Sequence, residues 1–122
     1  MKKMRPIKFR GFSQKENKWI YGCGVFHSDN NREAYLIINE EKGFGFRQVL
    51  IEDCATIGQF TGMYDKNKKE IYEGDIVSHP NKALDEAEVK FEDGLFLIKK
   101  YRKDDLLCYC YDVLEIIGNI HE

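Results

Sequence analysis

Along most of the chain apolar residues alternate with charged or polar ones at a period of two, the pattern of half-buried strands rather than of helices. Ile7 and Phe9 alternate with Lys8 and Arg10, and Pro6 suits the start of such a strand. A polar loop is expected over residues 11–18, and residues 19–26 read as the return strand of a hairpin. Residues 27–32 (HSDNNR) form a loop by composition, residues 34–38 a short apolar strand, and residues 39–45 a second loop. Residues 46–51 return as a strand, with Phe46, Gln48 and Leu50 on one side and Arg47, Val49 and Ile51 on the other. Gly43-Phe44-Gly45 lacks the lysine and hydroxyl residue of a phosphate-cradling loop and reads as a turn.

The least ambiguous stretch is residues 58–77, GQFTGMYDKNKKEIYEGDIV. Its polar run from Asp65 to Lys69 is a turn, Ile71-Tyr72 a short strand, Glu73-Gly74-Asp75 a second turn, and Ile76-Val77 a further strand. Gly74 suits a tight turn because glycine adopts positive φ without steric cost. Pro80 then interrupts pairing, and residues 82–88 form a polar connector with room for one helical turn. Residues 89–91, the turn Glu92-Asp93-Gly94 and residues 95–101 make the clearest hairpin in the chain. Residues 106–117 fit two readings: LLCYCYD is β-prone, while VLEIIG suits a strand or a short helix.

An internal echo runs through these elements. Phe9-x-Gly11-Phe12 through Lys15, Lys18, Ile20 and Tyr21 matches Phe60-x-Gly62-Met63 through Lys66, Lys69, Ile71 and Tyr72 at a constant offset, and so implies two similar hairpins. A smaller echo pairs residues 57–60 with 117–120. The expected fold is mostly β: antiparallel hairpins forming one or two small barrel-like sheets, with at most short helices near residues 82–88 or the C-terminus. One domain over residues 1–122 is expected, or two intertwined β subdomains at about 1–55 and 56–122. Alternation with charged neighbours nominates Phe9, Trp19, Ile20, Phe60, Ile71, Ile76, Val89, Phe91, Leu97 and Ile117 for the core.

Composition narrows the class without naming a function. With 43% hydrophobic and 33% charged residues in 122, the chain can bury a core, and its apolar runs are too short to span a membrane as a helix. The first ten residues carry charge but no apolar segment of the kind a signal peptide needs, so cytoplasmic residence is expected. Cys23, Cys54, Cys108 and Cys110 include no CxxC pair and are expected to stay reduced. A zinc site would have to recruit His27, His79 or His121, none at finger spacing, and no cofactor is expected.

A net charge of −2 gives no global attraction for nucleic acid, so any such site must be local. Lys2, Lys3, Arg5, Lys8 and Arg10 concentrate positive charge beside Phe9, Phe12, Trp19 and Tyr21, as phosphate contact and base stacking require. The competing reading is a solvated strand face whose aromatics point inward. On either, Arg5, Lys8 and Arg10 are expected to be exposed, and their joint replacement by alanine should leave the melting temperature nearly unchanged. A second basic cluster, Lys99, Lys100, Arg102 and Lys103, is offset by Asp104 and Asp105. Asp65, Glu70, Glu73 and Asp75 cluster in sequence, but no histidine accompanies them and turns are ordinarily acidic, so no catalytic constellation is identified.

Several ordered blocks are similar to a known family. Ile7-Lys8-Phe9-Arg10, residues 57–62 (IGQFTG), Asp65-Lys66-Asn67, residues 70–77 (EIYEGDIV) and residues 117–122 (IGNIHE) resemble the YopX-like proteins of bacteriophages and prophages. The resemblance spans nearly the whole chain and is weakest over about residues 27–53. Lys68 or Lys69 stands where a glycine is common after Asp-x-Asn in such proteins. The resemblance implies a phage or prophage accessory protein in a bacterial cytoplasm and supplies no catalytic residues. Two function classes follow. One is a non-catalytic module that binds a host or phage protein, or copies of itself, through hairpin edges and aromatic residues. The alternative is a small nucleic-acid-binding β-barrel using Arg5, Lys8 and Arg10, which the net acidity disfavours.

Overall fold

The computed structural model describes residues 6–29, 32–39, 45–79, 84–99, 104–107 and 111–121. The chain is mostly β, and every strand pairing among the described residues is antiparallel. It divides into two compact units, Met1–Gln59 and Phe60–Glu122.

In the first unit, β1 (Phe9–Ser13) pairs with β2 (Lys18–Gly22) across a tight turn, with Phe9 opposite Gly22 and Ser13 opposite Lys18. The strand starts two residues later than alternation from Ile7 suggests and runs into the expected loop. Its turn is closed by Ser13 Oγ, which accepts from the Glu16 N–H at 3.1 Å, and by the Glu52 carboxylate, which accepts from the N–H groups of Gln14 and Lys15 at 2.9 Å each. The expected single strand over residues 19–26 is in fact two. After Gly22 the chain turns, and β3 (Gly24–His27) leaves β2 to pair with β4 (Ala34–Asn39), which pairs in turn with β5 (Phe46–Ile51). The first two residues of β6 (Gly58–Tyr64) close the unit against β1, with Phe9 opposite Gln59 and Arg10 opposite Gly58. Ile20, Leu36, Val49 and Ile51 form the core, with Phe9, Val25, Ile38 and Ile57 packed around them.

In the second unit, the rest of β6 pairs with β7 (Glu70–Tyr72) through a bulge between Phe60 and Tyr64. The Thr61 hydroxyl stitches that bulge, donating to Ile71 O at 2.8 Å and accepting from the Met63 N–H. A five-stranded sheet follows, in the order β11 (Asp104–Leu106), β10 (Leu95–Lys99), β9 (Leu84–Glu92), β8 (Asp75–His79) and β12 (Glu115–Asn119). Ile71, Val77, Ala87, Val89, Ile98, Leu107 and Leu114 make its core.

The turns behave as the sequence suggests. Gly74 has φ +94°, and its N–H donates to Val89 O at 2.8 Å. Asp93 and Gly94 have φ of +52° and +79°, the two consecutive left-handed residues of a two-residue hairpin turn. The echoing hairpins β1–β2 and β6–β7 each contain a non-glycine residue at positive φ, Asn17 (+53°) and Lys68 (+66°). Lys68 is one of the two lysines standing where the proteins it resembles commonly have a glycine. Replacing it with glycine is expected to raise stability by about 0.5–1 kcal/mol, because the left-handed conformation strains a Cβ and not a hydrogen; chemical denaturation of the K68G variant measures this.

Three expectations need correction. Residues 84–88 are strand and not helix: Leu84 and Ala87 pair with His79 and Val77, so ladder bonding overrides a polar local composition. Helical structure is confined, among the described residues, to short 3-10 segments at Cys54–Thr56, Tyr111–Val113 and Leu107. Ile76 and Leu97 are only half-buried while their neighbours Val77 and Ile98 enter the core. Both strands carry consecutive apolar residues, so the face is chosen across strands: Val77 lies opposite Ala87 and Ile98 opposite Val89, whereas Ile76 and Leu97 lie opposite Glu88 and Lys90. Phe91 and Ile117 are exposed, at 46% and 47%. Phe91 sits at the hairpin end against Phe96, and Ile117 occupies the irregularity between Ile116 and Gly118 where β12 slips its register against β8. Phe9 and Trp19 are half-buried, and Ile20, Phe60, Ile71 and Val89 are buried as expected.

Candidate interaction surface

The three-stranded sheet β3–β4–β5 has two chemically different faces. Residues directly opposite in an antiparallel pair share a face, so Val25, Leu36 and Val49 point together into the core. The other face carries Phe26 opposite Tyr35, Tyr35 opposite Leu50, and Ile37 opposite Gln48, with Phe46 at the far end of β5. Phe26 is 58% and Phe46 68% exposed, while Tyr35, Ile37 and Leu50 are half-buried. No charged residue occupies an outward strand position there. The outward positions of the second unit's sheet differ: Glu88, Lys90, Glu92 and Lys99 lie among them, beside Ile76, Leu95 and Leu97, with ion pairs Lys99–Glu92 at 3.0 Å and Lys90–Glu88 at 4.0 Å. One face carries paired charges and the other carries no charge at its strand positions.

Beside β5 lies an open cleft of about 470 Å³, lined by Arg47, Gln48, Val49 and Leu50, by Tyr35 of β4, and by Ser13, Lys15 and Glu16 of the β1–β2 turn. Glu52 fixes that turn in place. Burial by itself raises its carboxyl pKa, but the N–H groups of Gln14, Glu52 itself and Lys15, with the Lys15 charge, outweigh it and hold the group below the ordinary carboxylate range.

The basic N-terminal strand is not the solvated surface expected of it. Arg5 lies outside the described residues, Lys8 is half-buried, and Arg10 is buried with 7% exposure. Alternation places Arg10 opposite Phe9, as expected. However, β1 is an interior strand between β2 and β6, and the Arg10 guanidinium lies 4.8 Å from the centroid of Trp19, which meets Phe12 edge-on. The Arg10→Ala variant is therefore expected to lose about 1–2 kcal/mol, through lost cation–π and stem packing, and to melt several degrees lower by calorimetry. An exposed cation would leave the melting temperature unmoved.

The acids of residues 65–75 serve the backbone. Asp65 Oδ1 accepts from the N–H groups of Asn67 (2.8 Å) and Lys69 (2.9 Å), and its Oδ2 accepts from Ile116 (3.1 Å). Asp75 Oδ2 accepts from the Tyr72 N–H at 2.7 Å, and Glu70 accepts from the Tyr72 hydroxyl at 3.0 Å. Cys23 and Cys54 are not joined in a disulfide, and Cys108 and Cys110 lie outside the described residues. Among the described residues, no group of three or more His, Cys, Asp or Glu is placed to hold a metal ion, and no helix is long and apolar enough to cross a membrane.

A family model described as YopX protein matches residues 8–122, nearly the whole length described above. The chain belongs to the YopX family. Among solved structures the YopX chain is similar to the crystal structure of protein EF1440 from Enterococcus faecalis, with 26% identity and a TM-score of 0.55, over 95% of this chain and 94% of that one. No curated protein matches it. The YopX blocks quoted from the sequence fall on β1, β6, the turn at Asp65, β7, β8 and β12, whereas the uncharged sheet face lies in the part where the resemblance is weakest. That face went unread in the sequence because it is assembled from three strands. Its local signals are the uncharged alternate sets Phe46, Gln48 and Leu50 on β5 and Tyr35, Ile37 and Asn39 on β4.

Proposed function

We propose that this YopX-family protein is a non-catalytic binding module, a phage or prophage accessory protein acting in the bacterial cytoplasm, which docks another protein on the outward face of β3–β4–β5. The observation that carries this reading is the exposure of Phe26 and Phe46 on a sheet face without charged outward positions. Exposed aromatic residues on such a face are the usual anchors of a protein interface. Nucleic-acid binding through Arg5, Lys8 and Arg10 is the weaker alternative, because Arg10 lies inside the fold and over Trp19.

The test is capture from infected or lysogenic cells followed by mass spectrometry, run beside the double variant Phe26→Ser/Phe46→Ser. Both side chains are more than half exposed, so the variant should melt within a degree or two of the parent. Specific capture by the parent and its loss in the variant is the expected result. Equal capture by both proteins would rule out this face. Micromolar binding to DNA or RNA at about 150 mM salt, falling log-linearly with salt, would favour the alternative.

A further inference from the structure

We draw no further inference here: the strongest candidate, the uncharged outward face of β3–β4–β5 with the cleft beside β5, belongs to the surface already described, and nothing in the structure shows what covers it.

Discussion

Replacing Asp65 with alanine is expected to cost about 3 kcal/mol, the loss of three backbone hydrogen bonds to one buried carboxylate, and to lower the melting temperature by roughly 10 °C. Asp65 is 3% exposed and gathers Asn67, Lys69 and Ile116, the last 51 residues away. The backbone agrees: the Lys66 N–H donates to Leu114 O at 2.9 Å, and the Asp65 N–H donates to Lys69 O at 2.8 Å. Without the carboxylate, the β6–β7 turn and the start of β12 each lose the acceptor of part-buried donors, and the β12–β8 ladder is itself irregular. Alanine also leaves a small void. Urea unfolding followed by circular dichroism measures the loss.

The same group makes stability depend on pH. Burial raises the Asp65 pKa, but the N–H groups of Ile116, Lys69 and Asn67, with the Lys69 charge, outweigh it, so the folded value lies below the ordinary carboxylate value. A depressed folded pKa stabilises above the unfolded pKa of about 3.9, and the stabilisation disappears as pH falls through the lower folded value. The parent should therefore lose stability steeply below about pH 4, and Asp65→Asn, already weaker at neutral pH, should show a flatter profile there. An identical slope in both proteins would remove Asp65 as the titrating group.

Gly22→Ala is the second large effect, and it falls in the other unit. A Cβ at Gly22 would stand 2.6 Å from Ile37 O, a backbone atom that also accepts the Cys23 N–H at 2.8 Å. Backbone on both sides leaves no flexible side chain to move aside, so β2 and β4 must separate, at a cost of about 3 kcal/mol. Gly24 is the control. Its added Cβ would meet only Ile37 Cβ and Cγ1 at 3.7 Å, an ordinary contact, so Gly24→Ala should be close to neutral. Equal destabilisation by the two would mean that glycine's backbone freedom, and not the close approach to Ile37, matters at this corner.

The two glycines show where reading the chain stops. Residues 19–26 look like one strand because Gly22 and Gly24 interrupt the alternation without announcing a change of partner, and only the approach of β4 explains the break. Turns were more legible. Asp93-Gly94 and Gly74 need left-handed backbone that a few residue types supply, so composition nearly dictates conformation there. Asp65 was legible as a turn residue, but nothing local says that its second oxygen reaches Ile116.

The sequence by itself determined the β class, the antiparallel hairpins, the turns and the family, because each rests on a period of two, on turn chemistry or on ordered local blocks. Tertiary structure alone decided which of two adjacent apolar residues enters the core, as at Ile76-Val77 and Leu97-Ile98, since both satisfy the local pattern and only the partner strand separates them. It also decided that Arg10 lies inside the fold. A strand's own alternation fixes the side on which a residue points, and the strands packed around it decide whether that side meets water.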